Sequence, residues 1–172
     1  ITISLLVLFV PICFYFACSR KSFSERISTE RPELLQIGYG VGVTVIVGNI
    51  SANLGYVLLQ FLFTLFGLED KYHAMLEAST TYPKNFWLVP VFAIVLAVLP
   101  AFLEEILMRG IGLSGTKKFG TWFALLFSGF FFSFMHNTWL QLPFAFVLGI
   151  VLAYFTLRFN TIWIAVISHF VF

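Results

Sequence analysis

Glu104, Glu105 and Arg109 stand in an otherwise apolar stretch, Leu96-Ala-Val-Leu-Pro-Ala-Phe-Leu-Glu-Glu-Ile-Leu-Met-Arg-Gly110. A charge held at the middle of a membrane costs about 2.5–3.5 kcal/mol on insertion scales. Ionisable residues in such a place mark a functional site by default. On a helix Glu105 and Arg109, four apart, share a face and form an ion pair, while Glu104 points about 100° away. That spacing divides the labour. Arg109 offsets Glu105 and holds the helix in place, which leaves Glu104 free as a general base. Two later apolar runs each carry one imidazole: His136 in Phe132-Ser-Phe-Met-His and His169 in Ala165-Val-Ile-Ser-His. Two carboxylates, a guanidinium and two imidazoles in apolar surroundings look like the polar parts of an active site or, read differently, of a proton relay.

The rest of the chain must hold these groups in lipid. Its 172 residues are 60% hydrophobic and 10% charged, with a mean hydropathy of +0.97. A soluble domain would be about half apolar and a quarter charged, so this is a membrane protein. Beginning at Ile1 and stopping within an apolar run at Phe172, the sequence reads as a piece of a longer protein. The net charge of +2 comes with no basic, aromatic-laced stripe, so nucleic acid is not an expected partner; the lipid bilayer is. Cys13 and Cys18 share the first apolar run and are read as lipid-facing or packing residues, not a metal or disulfide framework.

A spanning helix needs about 20 apolar residues. Six runs qualify wholly or in part: 1–18, 36–67, 86–114, 119–136, 139–157 and 160–172. The expected fold is all-α, a polytopic transmembrane helical bundle with about six spans. If alternate loops share a side, Arg20, Lys21, Arg26, Arg31, Arg109, Lys117, Lys118 and Arg158 fall on one side and only Lys71 and Lys84 on the other. The positive-inside rule then makes this a multi-pass protein with the basic loops 19–35 and 115–118 in the cytoplasm. The 19–35 segment, with four basic and three acidic residues, reads as a solvated loop. Small residues four apart (Gly38 and Gly42; Gly48 and Ala52; Ala145, Gly149 and Ala153) mark expected helix contacts. Pro100 is expected to free a carbonyl near Leu96 and kink its helix. His73, in the polar stretch 68–85, reads as exposed and silent. Trp87, Trp139 and Trp163 lie near predicted span ends, as interfacial anchors do.

Glu104-Glu105-Ile-Leu-Met-Arg109-Gly110, then Phe132-Ser-Phe-Met-His136, then His169 in the last apolar run, resemble the three motifs of the CAAX-processing and bacteriocin-processing intramembrane endopeptidases, the CPBP or Abi family. The resemblance covers residues 86–172, expected to be the protease core, with 1–85 supplying variable N-terminal helices and loops. It implies that Glu104 and His136 activate water, that Glu105 and Arg109 shape the site, and that His169 stabilises the oxyanion formed on the peptide carbonyl. The family pattern places an Asn or similar residue four positions after the last histidine, just past Phe172. The implied activity is intramembrane hydrolysis of peptide bonds in prenylated CAAX-type proteins or leader peptides, a peptide or lipidated protein being the substrate.

No cofactor is required by this reading. Were a divalent metal such as zinc used, Glu104, His136 and His169 would be its ligands, since a catalytic zinc site takes three protein ligands and water. Two other functions compete. A non-catalytic family member conferring bacteriocin self-immunity, or acting as a membrane scaffold, would keep the polar cluster for folding and binding. A proton-coupled transporter would use it as a relay, but predicts an internal repeat that the sequence does not show.

Overall fold

The computed structural model describes residues 2–19, 27–79, 90, 98–136 and 138–172, the side chains of 2–8 and 100 apart. Arg20, Lys21 and Arg26 of the basic loop, and Lys84, Trp87 and the Leu96 carbonyl, lie outside the described residues, so the expected Pro100 kink does too. Every regular element described is helical. The nearest approach to a sheet is a single antiparallel bridge between Thr29 and Thr161.

Helix α1 spans Thr2–Cys18, and α2 runs for 32 residues over Leu34–Leu65. Glu33 and Gln36 form a capping box at the start of α2, the Glu33 N–H donating to Gln36 Oε1 at 3.1 Å. At its end the chain passes through Gly67 (φ +67°), and Leu68 N–H reaches back to the Phe63 carbonyl at 2.8 Å. The stretch expected to be a polar connection then forms α3, Glu69–Ser79. Glu69 and Asp70 occupy its first turn, where carboxylates complement the helix dipole.

The helix that carries the charged cluster changes its winding. Helix α4 (Leu99–Glu105) passes into a π-helical segment, Ile106–Gly112, then into α5 (Leu113–Thr116) and a 3-10 turn, Lys117–Phe119. Leu113 N–H bonds the Met108 carbonyl, the five-residue step that defines a π turn. After Gly120, at φ +107°, come α6 (Thr121–Phe134), α7 (Leu142–Phe159) and α8 (Trp163–Val171).

Two described helices, Leu34–Leu65 and Leu142–Phe159, are long and apolar enough to cross a membrane by themselves. Thr121–Phe134 is apolar but has only 14 residues, about 21 Å at 1.5 Å per residue. The expected count of six therefore reduces to two among the described residues.

Small residues let these helices approach, though not all at the expected places. The buried face of α2 is Gly40, Thr44, Gly48, Ser51 and Gly55. A Cβ on Gly40 would strike the Ile164 side chain, and one on Gly55 would lie 2.9 Å from Pro143 Cβ. Gly38 and Gly42 have nothing within 4 Å. Each stands two residues from a member of the buried row, about 200° around the helix, so this pair faces away from α7 and α8. The expected seam on α7 is real: Ala145, Gly149 and Ala153 are all buried, and a Cβ on Gly149 would sit 2.8 Å from Gly129 Cα of α6.

The loop expected to be solvated is pinned at its far end. Ile27 is 2% exposed and packs with Ile12, Ile106 and Ile162. Ser28 Oγ donates to the Asn160 carbonyl, and Ile162 N–H donates to the Ser28 carbonyl at 3.0 Å. Thr161 Oγ1 donates to the Glu30 carbonyl at 2.6 Å. Residues 27–30 thus strap the turn between α7 and α8, where Asn160 adopts a left-handed conformation (φ 50°). Ile27, an apolar residue set between Arg26 and Ser28, was the sequence sign of this. Cys13 and Cys18 are exposed and free.

Candidate active site

The polar cluster stands over an apolar floor of Met108, Phe132, Ala145, Leu148, Leu152 and Ala165. Helix α4 and the π segment bring Glu104, Glu105 and Arg109; the end of α6 brings His136; α8 brings His169. The i,i+4 pair forms as the spacing predicts, with Arg109 Nη1 donating to Glu105 Oε1 at 3.0 Å and both side chains fully buried. A buried pair of this kind survives only where further hydrogen bonds satisfy it. Arg109 Nη2 supplies one, donating to the Gly149 carbonyl at 3.2 Å. Its guanidinium carbon lies 4.4 Å from the centre of the Phe132 ring, a cation–π contact.

His169 completes the pair's environment. Its Nδ1–H donates to the same Glu105 oxygen at 2.9 Å. A carboxylate oxygen accepts, so this bond assigns the proton to Nδ1. The other nitrogen, Nε2, faces Glu104 Oε2 at 3.9 Å. Glu104 and His169 retain similar small exposures, 15% and 16% of their side chains. Glu104 Oε2 is itself buried and makes no hydrogen bond among the described residues. The cluster therefore holds one carboxylate matched by Arg109 and one left over, as the i,i+4 argument requires.

His136 lies just beyond the last residue of α6, in the turn that follows. Its Nδ1–H donates to the Phe132 carbonyl at 2.8 Å, which leaves Nε2 to meet a substrate or water. No hydrogen bond or ion pair joins it to Glu104 among the described residues; the imidazole facing Glu104 is that of His169. His136 and His169 instead meet through Phe132, whose ring centre is 4.9 Å from one and 5.2 Å from the other. His73 is exposed on α3, its ring against Tyr72.

Among the described residues no group of three His, Cys, Asp or Glu side chains is placed to hold a metal ion. Glu104, His136 and His169 as they stand do not supply the three protein ligands of a catalytic zinc site.

Sequence reasoning missed the Gly149 carbonyl as part of this site and named Phe132 only as the start of the second motif, with no role for its ring. Gly149 is distinguished in sequence only by its Ala145–Gly149–Ala153 row, and a backbone carbonyl leaves no mark at all. Phe132 is one of 23 phenylalanines, and only its place four residues before His136 sets it apart.

Neither a curated protein nor a solved structure matches the chain. Residues 85–172, about half of it, match the family of type II CAAX prenyl endopeptidases, Rce1-like. The matched span contains both glutamates, Arg109 and both histidines. The protein therefore belongs to the Rce1-like family of type II CAAX prenyl endopeptidases, integral membrane proteins that are proteases at the level of the family.

Proposed function

We propose that the protein is an intramembrane endopeptidase that hydrolyses a peptide bond of a prenylated, CAAX-type membrane-anchored substrate, with Glu104 as the general base. The observation that carries this reading is the uncommitted Glu104 carboxylate facing an imidazole nitrogen, beside a second carboxylate already matched by an arginine. Glu104 takes a proton from a water as the water oxygen bonds to the scissile carbonyl carbon. The carbonyl becomes an oxyanion, stabilised by N–H donors aimed at it. Nε2 of His169 and His136 can donate in this role only as imidazolium N–H groups, since the Nδ1 proton of each ring is already given to Glu105 or to the Phe132 carbonyl. The intermediate collapses, the C–N bond breaks, and Glu104 returns its proton to the leaving amine. The products are a new carboxyl terminus and a free peptide. Glu105 and Arg109 act through position, holding His169 at a fixed angle to Glu104.

The same reading places the protein in the bilayer as a multi-pass helical bundle with its basic loops in the cytoplasm. The strap supports that topology, since it ties the segment after Arg26 to the turn after Arg158, two connections assigned to one side by their charge.

The test is made in cells carrying the full-length gene. Membrane and released peptides are compared by mass spectrometry for wild type, Glu104→Gln and a deletion. Cleaved peptides that appear only with wild type support the proposal and identify the substrate. Identical profiles for wild type and Glu104→Gln, with both reversing the phenotype of the deletion, would transfer the assignment to a non-catalytic immunity or scaffold role.

A further inference from the structure

Two uncharged residues hold the charged ones. Phe132 is fully buried, yet its ring is the meeting point of three groups of the site. Arg109 lies over its face at 4.4 Å, and the two imidazoles pack on it at interplanar angles of 62° for His136 and 73° for His169. A Cβ added to Gly149, across the α6–α7 seam, would lie 2.8 Å from Gly129 Cα and 3.0 Å from Phe132 Cβ. Any side chain at 149 therefore displaces either helix α6 or the ring itself. The Gly149 carbonyl also receives the Arg109 Nη2 donor. One unbroken set of contacts follows: the Gly149 carbonyl fixes Arg109, Arg109 fixes Glu105, and Glu105 fixes Nδ1 of His169. The Phe132 ring packs against the guanidinium and against both imidazoles.

We infer that Phe132 and Gly149 are positioning residues. Together they seat the Arg109 guanidinium, and through it and the aromatic ring they set the orientation of His169 and His136 toward Glu104. The inference rests on the reading of those groups as the reacting ones. It adds a residue outside the charged motifs, Gly149, whose contribution is the absence of a side chain and the direction of one carbonyl. A rigidly held constellation matters because misplacement by about 1 Å can cost about 10²-fold in rate.

Histidine-selective ¹⁵N labelling of the full-length protein in lipid nanodiscs reports the imidazoles, the signals of His73, His136 and His169 being assigned by single substitution of each. Phe132→Leu removes the ring, Gly149→Ala adds one methyl, and Phe134→Leu is the control, since Phe134 is exposed on the same helix. Both test variants are expected to move the His169 signals, and Phe132→Leu those of His136 too, with His73 unmoved and the control matching wild type. Cleavage of a prenylated peptide should fall about 10²-fold in kcat for both, with little change in KM. Folded variants whose His136 and His169 signals coincide with those of wild type would overturn the inference. Failure of both variants to fold while Phe134→Leu folds would reduce the pair to packing and overturn it as well. Because the spectra do not depend on turnover, an inactive wild type with shifted signals would defeat the protease reading alone. An active wild type with unmoved signals would defeat the positioning role alone.

Discussion

Arg109→Met tests whether the buried ion pair has the energetic place assigned to it. Methionine keeps an unbranched apolar side chain of similar reach. It removes the 3.0 Å bond to Glu105, the 3.2 Å bond to the Gly149 carbonyl and the 4.4 Å contact with Phe132. Taken singly, a charge-assisted hydrogen bond contributes about 1.5–3 kcal/mol and a cation–π contact about 0.5–2 kcal/mol. These figures do not add, because the dominant cost is the Glu105 carboxylate left without its cation at 0% exposure, with only the His169 Nδ1–H still bonding it. Breaking a buried pair from one side costs about 3–5 kcal/mol, and that is the expected loss. The partner substitution separates this account from a general packing defect. Glu105→Gln in the Arg109→Met background removes the orphaned charge, so the double variant should recover most of the loss. Reversible unfolding of the four proteins in mixed micelles gives the coupling energy directly. An Arg109→Met protein within about 0.5 kcal/mol of wild type, or a double variant whose loss is the sum of the two singles, would refute the reasoning.

Two further substitutions check the packing that positions the site. Gly129→Val puts side-chain atoms where a Cβ alone would lie 2.7 Å from the Phe146 carbonyl oxygen and from Ile150 Cγ1. It should lower stability by about 1–3 kcal/mol, and an unchanged melting temperature would contradict the close α6–α7 approach. Thr161→Val removes the donor to the Glu30 carbonyl at 2.6 Å and the acceptor of Trp163 N–H at 3.3 Å. The loss should be about 1 kcal/mol, seen as faster amide hydrogen exchange at 27–30 and in the first turn of α8; unchanged exchange there would show that Ile27 and the Ser28 bonds hold the strap without Thr161.

Local spacing foretold the parts of the site that lie on one helix. Glu105 and Arg109 meet because residues four apart share a helical face, and Glu104 is left facing a different partner for the same reason. That His169 joins them followed only from its place in a later apolar run, and the structure makes it, not His136, the imidazole that faces Glu104. Contacts between helices were illegible where they rest on rotation about a helix axis. Gly38 and Gly42 have the same spacing as Gly40 and Thr44, and nothing in periodicity says which row turns inward. The π segment at Ile106–Gly112 was illegible too. Its residues suit an α-helix as well, and the wider turn coincides with the place where Arg109 must reach a neighbouring helix. The strap was missed because charge composition outweighed Ile27, and burial of one residue does not change a segment's average.

The central claim is that Glu104 is the base of a peptide hydrolase. Its most direct test is the purified full-length protein in nanodiscs with a prenylated CAAX peptide, comparing wild type, Glu104→Gln and the exposed-site control His73→Ala. Glutamine keeps the shape of the side chain but takes no proton. Loss of a general base lowers rates by about 10²–10⁴-fold, so the account predicts a fall of that size for Glu104→Gln, with unchanged melting, and wild-type cleavage for His73→Ala. Wild-type cleavage by a folded Glu104→Gln protein would contradict it.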